Sequence, residues 1–154
     1  MNKKILVILA FLIVASSITA VSAFDLDGIF GSGENETATI GGIDFNIPAG
    51  FKEDSSHYND DLANTLKKDG YNVTGKAYVK DSTVVSIFVS NYTSSGKVID
   101  QSALSEGGNA TKIKNVDGFK KVDGEAHFFE YLKDGCFVYI SSNDENAIGD
   151  FIMA

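Results

Sequence analysis

Beyond residue 36 the chain alternates apolar and polar positions over most of its length. Ala38, Ile40, Ile43, Phe45 and Ile47 share one parity, and Thr37, Thr39, Asp44 and Asn46 the other, on either side of Gly41-Gly42. A two-residue glycine connection between alternating runs predicts a hairpin with a primed turn. It pairs Ile40 with Ile43 and Ala38 with Phe45, one face buried and one solvated. Pro48-Ala49-Gly50 closes that strand as a turn. Asn59 to Asp69 follows with acids in its first turn, Leu62 and Leu66 on one face, lysines at its end and Gly70 as a stop, which predicts a short helix.

Tyr71 to Lys80 and Thr83 to Tyr92 read as two paired strands. A two-residue turn at Asp81-Ser82 would set Val79 opposite Val84 and the lysine face against Val85. A three-residue turn sets Val79 opposite Val85 and unites the apolar faces, and it is the register expected for a sheet with one buried face. Ser94 to Asn109 is polar, with one helical turn expected around Ile99 to Leu104, and Thr111 to Val116 alternates as a further strand.

The strongest hairpin signal is Asp134-Gly135 between Ala126–Lys133 and Cys136–Ser142, aligning Tyr131 with Val138 and Phe129 with Ile140, and placing Cys136 on that core face. Leu132, Phe137 and Phe128 occupy the other face, which calls for a partial cover by a helix. Ser142 to Glu145 has capping-box spacing, so a carboxy-terminal helix is expected, with Ala147, Ile148, Phe151 and Ile152 as its apolar stripe. The predicted class is α+β: an antiparallel β-sheet built from hairpins with short helices packed on it, including a C-terminal helix.

The amino terminus breaks the alternation. Lys3 and Lys4 precede an apolar run from Ile5 to Ala15, and small residues end at Ala20-Val21-Ser22-Ala23. That order is a signal peptide over residues 1–23, cleaved after Ala23. An uncleaved membrane anchor over Ile5 to Phe24 is the alternative, while a lipid anchor is not expected, because it needs a cysteine at the cleavage site and the only cysteine is Cys136. Residues 24–36 read as a flexible acidic linker, and residues 37–154 as a single α+β domain.

Charge narrows the partners. The 13 basic residues, all lysine, face 21 acidic ones, and loss of Lys3 and Lys4 with the leader brings the mature chain to −10. Nucleic acid and anionic lipid are poor partners for such a surface. Without arginine, no bidentate fork for phosphate exists. A lone cysteine leaves an exported domain to fold on packing alone.

The run Gly41-Gly42-Ile43-Asp44-Phe45-Asn46-Ile47-Pro48-Ala49-Gly50-Phe51 and the closing segment Phe129 to Ile152 resemble small exported proteins of unknown function from methanogenic archaea. The order of strand, Ile-Pro-x-Gly-Phe turn, hairpins and terminal hairpin plus helix is also similar to PsbP/Mog1-like α+β domains. Both likenesses rest on fold motifs. They imply an architecture and transfer no site residue.

Four sequons are the one repeated chemical signal: Asn35-Glu36-Thr37, Asn72-Val73-Thr74, Asn91-Tyr92-Thr93 and Asn109-Ala110-Thr111. Each makes its asparagine a candidate N-glycosylation acceptor in an exported chain. Asn35 and Asn109 are expected in flexible polar segments, Asn72 on a solvated strand face, and Asn91, which shares parity with Val85, Ile87 and Val89, on the inward side, accessible only if the strand has ended by Tyr92. His57 and His127 have no second ligand at metal spacing, and His127 reads as a hydrogen-bonded structural histidine. Cys136 reads as a buried, inert thiol. The acid pairs Asp25/Asp27, Glu34/Glu36 and Asp60/Asp61 read as solvated acids: the first lacks the further ligands of a calcium loop, and neighbours in a linker or a helical first turn lack the facing geometry of a glycosidase. Tyr58, Tyr78 and Tyr92 are candidates for an exposed aromatic patch.

No catalytic, metal or cofactor site is therefore expected. The expected function is an exported cell-surface or secreted non-enzymatic module that binds an envelope protein or glycan, or shields the envelope. The alternatives are a secreted hydrolase with a site assembled from scattered residues and a membrane-anchored accessory subunit.

Overall fold

Turn chemistry sets most of the architecture in the computed structural model, which describes residues 33–58, 60–68, 70–92 and 108–153. Gly41-Gly42 and Asp134-Gly135 hold positive φ at both loop positions, 58° and 86° in the first and 51° and 77° in the second. That is the type I′ condition. These turns close β1 (Glu36–Ile40) onto β2 (Ile43–Ile47) and β8 (Ala126–Lys133) onto β9 (Cys136–Ser142). The registers are those expected, with Ile40 opposite Ile43, Ala38 opposite Phe45, Phe129 opposite Ile140 and Tyr131 opposite Val138.

Between these hairpins lie β3 (Lys52–Glu53), a 3-10 turn (Ser55–His57), α1 (Asp60–Lys68), β4 (Tyr71–Lys80), β5 (Thr83–Tyr92), β6 (Asn109–Ile113) and β7 (Val116–Asp123). α2 (Glu145–Phe151) follows β9. A seven-stranded antiparallel sheet runs in the order β3-β4-β5-β9-β8-β7-β6, and β1-β2 form a separate two-stranded sheet. The fold is more sheet-dominated than a balanced α+β mix. The predicted turn at Ile99 to Leu104, the leader over residues 1–23 and Asp25/Asp27 lie outside the described residues.

The sheet is buried on both faces. On the front, Val85, Ile87, Val89, Phe129, Tyr131, Cys136, Val138 and Ile140 meet the β1-β2 hairpin and the α2 stripe of Ala147, Ile148 and Phe151. On the back, Val73, Phe88, Ala126, Phe128 and Tyr139 cluster with Ala63 of α1. Gly75 admits this layer, because a Cβ there would stand 2.6 Å from Cε2 of Tyr58, whose ring stacks on Phe88.

Three local expectations are corrected. The β4-β5 turn has two residues, with Val79 opposite Val84 and Lys80 opposite Thr83. The apolar parity of β4 fills the back while that of β5 fills the front, so the two apolar faces never needed uniting. The expected strand over Thr111 to Val116 is instead the β6-β7 hairpin, which turns at Lys114-Asn115 with φ of 44° and 66°. Finally, the cap of α2 is Asp144, whose Oδ1 accepts from the Asn146 amide at 3.0 Å, and not Ser142. Ser142 is held in β9 opposite both Val85 and His127, and its hydroxyl accepts from the Asp144 amide one step earlier.

Candidate functional site

Strand parity and the hairpin tip determine where the four acceptor asparagines stand. On β4 and β5, Asn72 and Asn91 are direct cross-strand partners, on the same front parity as Thr74 and Val89. The Gly41-Gly42 tip packs at that neighbouring pair, where a Cβ on Gly41 would stand 2.7 Å from Cγ1 of Val89 and 3.7 Å from Cβ of Thr74. Among the described residues the front cover therefore ends one pair short of Asn72 and Asn91. Both are exposed. This corrects the inward placement of Asn91: its parity is inward, but nothing of the β1-β2 hairpin reaches it.

Asn109 and Asn35 are also exposed; Asn109 lies in a strand and not in the expected flexible segment, while Asn35 lies outside the regular elements. Asn109 opens β6 opposite Lys120. Asn35 directly precedes β1, and its Oδ1 accepts from the Ala49 amide at 3.1 Å, tying the chain before β1 to the turn after β2.

One seryl-histidyl-aspartyl grouping is brought together, in the 3-10 turn. The Asp54 carboxylate accepts from the Ser56 amide at 2.9 Å and hydroxyl at 2.6 Å, bonds that hold its pKa below the usual carboxylate value, with His57 a lesser contributor. Nδ1 of His57 lies 3.2 Å from both Asp54 Oδ2 and Ser56 Oγ. A relay needs the nucleophile on one ring nitrogen and the carboxylate on the other. Here both oxygens crowd the same nitrogen, so the histidine orients no base toward Ser56.

His127 sits on the front parity as expected, but its Nδ1 is buried without a hydrogen-bond partner. The closest carboxylate oxygen, Oε2 of Glu145, is 3.8 Å away. Glu145 is engaged by Lys120, which holds the carboxyl below its usual pKa. Cys136 is buried at 8 % exposure; burial first, then Asp134, pushes its thiol above the ordinary pKa. The aromatic patch does not assemble. Tyr78 lies in the front core with its hydroxyl unpartnered and its pKa pushed up to about 12 by burial, with Glu53 and Glu36 adding to the rise. Tyr58 stacks on the back, and the side chain of Tyr92 is outside the description. Glu34, Glu36 and Asp60 are exposed. Among the described residues no group of three or more His, Cys, Asp or Glu side chains is placed to hold a metal ion, and no helix is long and apolar enough to cross a membrane.

One pair escaped the sequence reading. Lys121 and Glu130 form a buried ion pair at 2.8 Å, their side chains 4 % and 5 % exposed. Burial raises the carboxyl pKa against the opposing pull of the lysine. The available signal was Gly124, which takes the first loop position of the β7-β8 hairpin at φ 59° with Asp123 opposite Ala126; accepting that turn puts Lys121 and Glu130 on one face. No family model, curated protein or solved structure matches the chain.

Proposed function

We propose that this chain is an exported, non-enzymatic module working at the cell surface, where it binds an envelope protein or glycan or shields the envelope beneath. One observation carries the reading. All four sequon asparagines stand exposed on a scaffold that turns its large aromatic side chains into the two faces of the sheet. The signal-peptide order of residues 1–23, the acidity of the mature chain and the resemblance to exported archaeal proteins support it. The acidic surface disfavours nucleic acid. A membrane enters only if the Ile5 to Phe24 segment stays attached.

Mass spectrometry of the protein from its own host tests this. The expected result is an amino terminus at Phe24 and glycan mass on at least one of Asn35, Asn72, Asn91 and Asn109. A terminus at Met1 or Asn2 favours the anchored accessory subunit. An unmodified chain retained in the cytoplasm contradicts the proposal.

A further inference from the structure

The two-residue turn at Asp81-Ser82 has a chemical consequence at the far end of the same hairpin. It makes Asn72 and Asn91, each the first residue of a sequon, direct partners across β4 and β5. Their side chains leave the same face, and directly opposed Cβ atoms of an antiparallel pair lie about 4.5–5.5 Å apart. Both are exposed. The hairpin tip at Gly41 stands against Val89 and Thr74, so a group attached to either asparagine meets the same obstacle on that side.

We propose that Asn72 and Asn91 form a single composite acceptor for an N-linked glycan, filled once per folded molecule. The inference rests on the reading of the chain as an exported glycoprotein. The donor is an oligosaccharide on a polyprenyl phosphate or diphosphate carrier. In the transfer, Nδ2 of one asparagine bonds to the anomeric carbon, the bond from that carbon to the carrier phosphate oxygen breaks, and the amide gives up one proton. The carrier departs with the bonding pair. A sugar ring on one side chain then fills the space over its cross-strand neighbour. A chain modified at both positions before folding has to bring two rings into that space in order to pair β4 with β5.

The glycan also has something to cover. β3 pairs with β4 only at Tyr78 and Val79, so positions 72–76 have no strand on their outer side among the described residues. A strand edge without a partner strand is a template for pairing with another chain. A glycan at Asn72 stands on that edge strand, and one at Asn91 stands beside it.

The test uses full-length protein from its own host, as wild type, Asn72→Gln and Asn91→Gln, with intact mass and glycopeptide mass spectrometry on folded material. The expected wild-type population carries one glycan across the pair, and Asn72→Gln shifts the Asn72 share onto Asn91 with no loss of total glycan mass at the pair. Both substitutions are at exposed positions, and circular dichroism checks that each variant folds. Molecules glycosylated at both positions as the main form, or Asn91 occupancy indifferent to Asn72→Gln, overturn the inference while leaving the glycoprotein reading intact. Glycans confined to Asn35 and Asn109 overturn it likewise. A chain without glycan at any sequon overturns both.

Discussion

The two faces of the seven-stranded sheet are held by different means. Among the described residues the front buries seventeen side chains in one cluster, against six in the back cluster, and the front draws on the sheet, the β1-β2 hairpin and α2 together. Its inner edge contacts are aromatic, with Phe151 packed edge-on against Phe51 at 4.9 Å and tilted against Tyr78 at 5.6 Å. The back relies on α1, a nine-residue helix whose described inward residues are Ala63 and the half-buried Leu66. A helix of that length is marginal without its docking face. The back also contains the Lys121–Glu130 pair, whose desolvation offsets much of its attraction. Apolar packing on many elements makes a face that opens only when the whole molecule does; a face that relies on a short helix at one end and a buried ion pair on β7 and β8 opens first.

The largest effects should separate the faces. Phe151→Ala removes a fully buried front ring and should cost about 3–5 kcal/mol, read as a lowered denaturant midpoint with one cooperative transition. Lys121→Met on the back leaves Glu130 buried and unpaired, a loss of about 3–5 kcal/mol. The double variant Lys121→Met/Glu130→Leu should recover most of it. A double variant no better than the single one would mean that the pair is a net support of the back face. Gly75→Ala forces a Cβ against the Tyr58 ring and the Ile87 carbonyl oxygen and should cost about 1–3 kcal/mol, with Tyr58 becoming more accessible.

Smaller effects test chemistry. Cys136, on the front, should react with a thiol reagent only at the rate of global unfolding, and raising the pH through the ordinary thiol range should not restore reactivity, since burial lifts its pKa. Fast labelling of native protein would place it outside the core. The smallest effect belongs to Asp54. Its folded pKa is depressed below 3.8, so its contribution is present above that value and lost as pH falls through the lower, folded one. Asp54→Ala should flatten that part of an acid titration of stability by a small amount, because the group is exposed.

How far the sequence could be read follows from where local signals decide. Gly41-Gly42 and Asp134-Gly135 admit essentially one turn type, and both registers follow from them. Lys114-Asn115 requires positive φ at two non-glycine residues, which composition does not announce, so the β6-β7 hairpin went unread. The β4-β5 register failed for a different reason. Tyr71, Val73 and Ala77 share one parity and Val85, Ile87 and Val89 another, and only knowledge that α1 covers the back makes both parities inward. Among the acceptors, the exposure of Asn72 was legible from alternation. That of Asn91 was not, because it depends on where the tip of a distant hairpin stops.

Native-state hydrogen exchange tests the inequality of the two faces most directly. Amides of β5, β8 and β9 should exchange only through global unfolding, with a free energy that follows denaturant as the whole transition does. Amides of α1 should exchange through a smaller opening that exposes little surface and leaves β5 protected. Protection of α1 equal to that of β5 would contradict the account, as would loss of β1-β2 protection before that of α1.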